Sequence, residues 1–357
     1  MAKNDSRSTR LSLTIISIVM TLIGLFFVFE ASTAESYATY GHQYYFVQKQ
    51  AIWMVAGIVA MIAAAKMPIK FWKKIASLLY LFSLFFLLAV FIPGIGLELN
   101  GARRWVNLGP VNFQPVEMAK LSLCLFFSAW MVKHQRLLPF IFLTGLPSLI
   151  LLLQPDVGSL LILIAIAAGL FFVAGGDLKK VLPVAGLGIL ALTLAVVTSS
   201  YRMKRVKTFF DPSSDPLGAS FHIKQITLAL GSGGLLGQGL GNSRQKYAYI
   251  PEASSDSIFA IVAEEVGFVG SGVILLMFAI YFYLIYRLAR QQKTGSFGQL
   301  CLYGLLIWLA GQTLLNLGAV VALVPMTGLP LPFFSYGGSS LVMVLLANGI
   351  ILSAAKS

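Results

Sequence analysis

Charge is scarce in this chain. Asp, Glu, Lys and Arg make up 11% of its 357 residues, against about 25% in a soluble domain, and that shortage excludes an ordinary water-soluble fold. Cysteine is almost missing: Cys124 and Cys301 each lie inside an apolar run, so no disulfide framework or zinc site can be built from them. Histidine is equally thin, and His42, His134 and His222 are too scattered for a metal site. Acids number 13 against 26 bases, a formal charge of +13. What is abundant is apolar: 58% of the residues are hydrophobic and the mean hydropathy is +0.84. The chain reads as an all-α polytopic membrane protein, whose counting unit is an apolar span of about 20 residues.

Apolar runs set against turn and charge punctuation predict ten transmembrane helices, near 11–30, 46–65, 72–92, 114–132, 138–154, 157–175, 181–199, 257–287, 298–321 and 337–354. The first is too long for a typical signal-peptide core and reads as a retained span, although Ser32-Thr33-Ala34 leaves cleavage open. With the N-terminus inside, the inner segments carry Lys3, Arg7, Arg10, Lys66, Lys70, Lys73 and Lys74, and further bases as far as Lys356. The short outer segments 31–45, 155–156 and 322–336 carry none. That asymmetry predicts a multi-pass protein with both termini in the cytoplasm. It also accounts for the positive charge as a topology signal with membrane-lipid contact, so no nucleic-acid partner is needed. The whole chain, 1–357, is expected to form a single integral membrane domain, with 200–256 as a large extracytoplasmic loop between helices 7 and 8.

Among the acids only Asp5 and Asp177 fall inside, so carboxylate chemistry belongs to the outer face. Asp256 is the foremost candidate, because it stands where the long loop meets the apolar helix beginning at Ser257, and ionisable groups at a lipid boundary are costly. A helix cap is the plain alternative, since Ser254, Ser255 and Asp256 all suit an N-cap. Glu264 lies about 12 Å further along that helix and, with Glu265, should face a polar cavity or a partner. Glu117 and Lys120 share one helical face, which fits either a mutual ion pair or a device that positions a charged head group or the catalytic acid. Arg103 and Arg104 suit phosphate oxygens. Lys204, Arg205, Lys207, Lys224, Arg244 and Lys246 add positive charge on the same face, each alone being most simply a solvated base.

The run Gly231-Ser-Gly-Gly-Leu-Leu-Gly-Gln-Gly-Leu-Gly241 invites a nucleotide reading. It lacks the Lys-Ser/Thr of a P-loop, does not fit Gly-x-Gly-x-x-Gly and follows no clear strand. A turn-rich lid or close backbone packing suits it better. Segment 219–230 is amphipathic enough to lie on a bilayer surface. Pro330, Pro332, Gly337 and Gly338 break the approach to the last span, which is tolerated where backbone lines a cavity or is buried in protein.

Several runs together resemble one family. They are Asn100-Gly-Ala-Arg103-Arg104-Trp105, Gln114-Pro-x-Glu117-x-Ala-Lys120, Gln154-Pro-Asp156-x-Gly158, Gly239-Leu-Gly-Asn242 through Pro251-Glu252 to Asp256, and Pro325-Met-Thr-Gly328 through Ser335-Tyr336-Gly-Gly-Ser339-Ser340. In this order, over nearly the whole chain, they resemble the SEDS family (shape, elongation, division, sporulation) of FtsW/RodA-type peptidoglycan polymerases.

The resemblance implies a glycosyltransferase of the bacterial cytoplasmic (inner) membrane that polymerises lipid II, the undecaprenyl-pyrophosphate-linked disaccharide-peptide, in division or elongation. It places the essential aspartate on Asp256, as general base or as ligand of a divalent cation (Mg²⁺ or Mn²⁺). It places substrate-binding positions on Arg103, Arg104, Trp105, Glu117, Lys120, Asp156, Glu252, Ser335 and Ser339. It implies a class B penicillin-binding protein as partner, together with other proteins of the division or elongation complex. Ser254-Ser255 stands where division-type members carry His-Thr, and Ala229 where a Ser is usual, so the lean toward the division type is slight. A lipid II flippase and a non-catalytic scaffold for cell-wall synthases are the rival readings. A flippase needs charged groups through both halves of the bilayer, whereas here Glu117, Lys120, Glu264 and Glu265 are expected in or near the outer half.

Overall fold

The computed structural model describes residues 2–99, 102–109, 111–134, 136–177, 207–211, 219–246 and 254–356, with isolated positions between 179 and 203. The expected seventh span, 181–199, and Glu252 lie outside the described residues. The chain is mostly helical: α1 (Ala2–Tyr40), α2 (Tyr45–Lys66), α3 (Ile69–Ala89), α4 (Pro115–Met131), α5 (Leu137–Leu153), α6 (Val157–Val173), α7 (Ala219–Ser232), α8 (Ile258–Arg290), α9 (Phe297–Val320) and α10 (Gly338–Ala354). Every expected span other than the seventh is matched by a helix. In lipid a helix is the element that satisfies its own backbone polar groups, and that is why apolar runs located these helices well. Five of them are long and apolar enough to cross a membrane, and α5, α6 and α10 are shorter apolar helices. At 1.5 Å per residue α1 is about 58 Å long, roughly twice the hydrocarbon thickness, so it extends well beyond the expected 11–30.

The helices are apolar on both sides. On α1 the stripe Leu11, Ile15, Val19, Leu22 and Phe26 is exposed while Leu13, Met20, Phe27 and Val28 are buried. An outward apolar stripe at helical spacing on several helices suits lipid as the surrounding solvent, and the protein is a multi-pass membrane protein. Helix α4 is buried along nearly its whole length and packs on α3, α6 and α9. The tightest pair is α2 with α10. A Cβ on Gly349 would lie 2.3 Å from the Met61 carbonyl, and one on Gly57 2.6 Å from Leu345, the small-residue contact by which helices approach closely in lipid. Across the core, Ser17 and Tyr281 both donate to Asn348 Oδ1, at 2.9 and 3.0 Å, joining α1, α8 and α10.

Two stretches differ from what periodicity predicts. Residues 93–113 contain a three-stranded antiparallel sheet, β1 (Gly96–Leu99), β2 (Ala102–Asn107) and β3 (Asn112–Phe113), in the order β1-β2-β3. And α8 is broken at Gly267, whose φ of 68° and ψ of −169° lie outside the helical region. The Gly-rich run supplies the missing backbone partners. Phe268 and Val269 N–H donate to the carbonyls of Gly234 and Leu235, while Gln238 and Gly239 N–H donate to those of Glu264 and Glu265. Backbone packs on backbone there, so the run is neither a nucleotide loop nor an open lid.

Glycine is required at this crossing. Gly237 has φ +82°, and an added Cβ would sit 2.1 Å from the Glu265 carbonyl oxygen. Gly237→Ala is therefore expected to cost about 2–4 kcal/mol, from a strained left-handed alanine and a backbone clash together. Gly231→Ala, where a Cβ meets open space, should be neutral or slightly stabilising. Thermal unfolding of the two variants in the same detergent checks the contrast, and equal melting temperatures would contradict it.

Helix α7 docks on α8 through Gln225, Ile226 and Ala229, leaving Lys224, Thr227 and Leu228 outward. Its apolar face is thus covered by protein rather than laid on a bilayer.

Candidate functional site

The loop between α9 and α10 gathers one end of the bundle. Pro and Gly prevent helix there, and the freed backbone groups bond to neighbouring elements. Asn316, buried on α9, donates through Nδ2 to the Leu329 carbonyl at 2.7 Å and to the Asp256 carbonyl at 2.8 Å. Ser335 Oγ accepts from Leu331 N–H and donates to the Ser255 carbonyl. Tyr336 N–H donates to the Ser254 carbonyl at 2.8 Å. Gln50 of α2 donates to the Ser335 carbonyl and accepts from Gly337 N–H. Each backbone carbonyl of Ser254-Ser255-Asp256 is thereby fixed from outside the segment. Asp256 itself is half-buried and does not cap α8, because the N-cap residue is Ser257.

Beneath this loop lies the Glu117–Lys120 pair. Lys120 Nζ is 2.7 Å from Glu117 Oε1 and 2.6 Å from Gln312 Oε1, and both charged side chains are fully buried. Gln312 also accepts from Trp308 Nε1 and donates to the Pro330 carbonyl at 2.8 Å. The pair therefore runs through Gln312 to the loop that pins residues 254–256, and its link to Asp256 is through backbone.

The remaining candidates flank this centre. Arg104, on β2, donates to the carbonyls of Gln154 and Pro155, which ties the sheet to the α5–α6 turn. Arg103 is exposed and 3.1 Å from Glu98. Trp105 is half-buried and opposite Leu97 in the β1–β2 ladder. Asp156 is buried and accepts from Ser159 N–H as the N-cap of α6. Ser339 Oγ accepts from Gln114 N–H at 3.3 Å, joining α10 to the start of α4. Asn316, Ser335 and Tyr336 bond the 254–256 segment directly, with Gln50 and Gln312 bracing the loop behind them, whereas Arg104 and Asp156 belong to an adjoining group at the α5–α6 turn. The two meet where a Cβ on Gly158 would lie 2.7 Å from the Thr327 carbonyl.

Residues 10–357 match the model of the FtsW/RodA/SpoVE family of cell cycle proteins. The chain belongs to this family. Among its relatives, a protein of Thioalkalivibrio sulfidiphilus named "Probable peptidoglycan glycosyltransferase FtsW" is 37% identical over 96% of this chain and 89% of that protein. Stage V sporulation protein E of Bacillus subtilis is 34% identical over 98% and 97%. Among solved structures, a chain from work on the structural coordination of polymerization and crosslinking by a peptidoglycan synthase complex superposes with a TM-score of 0.79. It shares 30% identity, with 97% of each chain covered. The rod shape determining protein RodA of Thermus thermophilus superposes at 0.71 with 27% identity, over 97% of this chain and 96% of that one.

This FtsW/RodA/SpoVE member also buries a charge cluster that periodicity misses. Lys246 Nζ is 3.2 Å from both Glu265 and Glu30 and donates to the Gly241 carbonyl. Glu264 accepts from Ser243 Oγ and from Arg244 N–H. The two glutamates do face partners, and these are the inward-folded loop 241–246. Lys246, expected as a solvated loop base, is buried instead. Tyr336, beside Phe46 at 5.0 Å between ring centres, has its hydroxyl pushed up to about 12, first by burial and then by Tyr45, Tyr40 and Glu35, so it stays neutral. Sequence reasoning also passed over His222, whose Nε2 lies 2.9 Å from Ser257 Oγ. Its separation of 35 residues from Ser257 follows no helical or strand period that could have signalled it.

Proposed function

We propose that this chain is a peptidoglycan glycosyltransferase, joining lipid II disaccharide units into glycan strands at the outer face of the bacterial cytoplasmic membrane and releasing undecaprenyl pyrophosphate. The names of its relatives support the activity. The observation that carries the site is Asp256, held by its own backbone against α9 and the 329–337 loop yet not used as the cap of α8. Both termini are then cytoplasmic, because Ser6 and Ala355 meet at the opposite end of the bundle from this loop.

The reaction needs a base and a sink for charge. Asp256 removes the proton from the GlcNAc 4-hydroxyl of the acceptor, and that oxygen attacks the MurNAc anomeric carbon of the donor with inversion as the pyrophosphate leaves. A positioned base contributes about 10²–10⁴-fold. Arg103 is the cation suited to the departing pyrophosphate. Its exposed pairing with Glu98 is worth at most about 1 kcal/mol, so an anion can displace it, whereas Arg104 spends two donors on the 154–155 turn. Among the described residues no three His, Cys, Asp or Glu side chains converge. A Mg²⁺-type ion commonly uses one or two carboxylates plus substrate phosphates, a pattern Asp256 fits; when bound, such an ion would neutralise pyrophosphate charge. Glu252 is carried as a further substrate-binding position.

The partner we infer is a class B penicillin-binding protein of the division or elongation machinery, in keeping with the synthase complex to which this fold is similar. The buried charges also argue against a flippase. Glu117, Lys120, Asp156, Lys246, Glu264 and Glu265 are the buried acidic and basic side chains among the described residues. All sit toward the loop-rich end, and a translocation path would require such groups at both ends.

The test is to incubate the purified chain with lipid II, alone and with its penicillin-binding protein, with Mg²⁺, Mn²⁺ or a chelator. Glycan strands, with one undecaprenyl pyrophosphate released per disaccharide added, are expected. No strands under any of these conditions would overturn the proposal. In the same assay Asn316→Ala, which strips the Asp256 and Leu329 carbonyls of their donor, should lower the rate about 10- to 100-fold, as misplacement of a reacting group does. A rate within twofold of wild type would contradict the positioning of Asp256 by its backbone.

A further inference from the structure

Ser257 occupies the N-cap of α8, where a serine ordinarily spends its side chain on a backbone N–H of the first turn. Here it makes no such bond. The hydroxyl is fully buried and turns the other way, lying 2.9 Å from His222 Nε2 and 3.5 Å from Asp256 Oδ1. His222 is carried there by α7, on the same face as Gln225, Ile226 and Ala229 that seats the helix on the core. The serine hydroxyl has one proton to give. If it goes to the Asp256 carboxylate, the imidazole must supply its own Nε2–H to the serine oxygen. The chain then runs His222 Nε2–H to Ser257 Oγ–H to Asp256 Oδ1, with every donor pointed toward the carboxylate. The second link is longer than a mature O–H···O bond of about 2.7–2.8 Å, as catalytic hydrogen bonds commonly are before substrate closes the site.

Resting on the reading of Asp256 as general base, we propose that His222 is a positioning residue for that base. It holds the Ser257 hydroxyl in the orientation that presents its proton to Asp256, and so fixes the carboxylate rotamer facing the acceptor sugar. The backbone anchors from Asn316, Ser335 and Tyr336 set where the segment lies. The His222–Ser257 link sets where its carboxylate points. It also gives α7 a role in the reaction, since that helix carries an imidazole to the catalytic segment from a region remote in sequence.

The experiment uses the full chain with its penicillin-binding protein and lipid II, reading kcat and KM separately and checking each variant by thermal unfolding. His222→Ala is expected to lower kcat about 10- to 100-fold, the scale of a misplaced reacting group, with KM within twofold. His222→Gln keeps an amide that can donate to the serine oxygen and should return kcat to within about threefold of wild type. Ser257→Ala should match His222→Ala, and the double variant should be no slower than either single one, because both cut the same link. Because Ser257→Ala removes only a hydroxyl, it decides the matter even if His222→Ala fails to fold. A wild-type kcat in Ser257→Ala, or multiplying losses in the double variant, would overturn the proposal, and so would a glutamine no better than alanine. Asp256→Ala distinguishes the levels. If it polymerises, the general-base reading falls and this inference with it; if it is inactive while the His222 and Ser257 variants run at full rate, this inference alone falls.

Discussion

Asp256→Ala should reduce lipid II polymerisation by about 10²–10⁴-fold, the contribution of a positioned general base, while the protein melts within a few degrees of wild type. The small structural effect follows from where Asp256 is anchored. Its links to α9 and, through Ser255 and Ser254, to the 331–336 loop are made by main-chain carbonyls, which alanine keeps. The N-cap position of α8 is Ser257 and not Asp256, so the change removes no helix cap. Asp256→Asn should be nearly as slow, because an amide preserves shape and hydrogen bonding but has no basicity. A loss confined to alanine, with asparagine active, would assign Asp256 a packing role. A scaffold would tolerate either change.

Lys120→Met should have the largest effect on stability, about 3–5 kcal/mol, the range for removing one partner of a buried ion pair. Lys120 is fully buried with Glu117 and Gln312 on its ammonium and lies over the Trp308 ring at 5.6 Å. Without it Glu117 is a desolvated carboxylate, one of whose oxygens already has no hydrogen-bond partner. Replacing both members as Glu117→Gln with Lys120→Met should recover much of the loss, since an uncharged pair of similar volume avoids the stranded charge. Unfolding in detergent, followed for both variants, checks this. A single variant as stable as wild type would show that the ammonium is dispensable to the fold. Activity should fall with stability here, because the Lys120–Gln312–Pro330 chain supports the loop that holds Asp256.

The helices were legible in the sequence because lipid imposes one rule on every span, so an apolar run such as 46–65 translates almost directly into α2. Asp256, Glu117 and Lys120 were legible for a related reason: a charge in apolar surroundings is conspicuous. What the sequence concealed depends on contacts between remote segments. The break at Gly267 is stable only because the Gly-rich run supplies hydrogen bonds from residues 234–239, and no local pattern within 258–290 announces it. Lys246 reads as a loop base until the fold sets it between Glu30 and Glu265, residues from two different helices. The β1–β2–β3 sheet is built of strands too short for alternation to show, one of them carrying Arg103 and Arg104 side by side. The spacing of Glu117 and Lys120 did signal an ion pair, but not that Gln312 would extend it to the Pro330 carbonyl, in the loop that holds residues 254–256.

The most direct test of the central claim is made in proteoliposomes holding the wild-type chain, its penicillin-binding protein and fluorescent lipid II, with strand formation and transbilayer movement of the lipid followed together. An enzyme built as described should form glycan strands and release undecaprenyl pyrophosphate, and the Asp256→Ala chain, equally folded, should form none. Lipid II carried across the bilayer without strands, or strands made equally by both chains, would contradict the account.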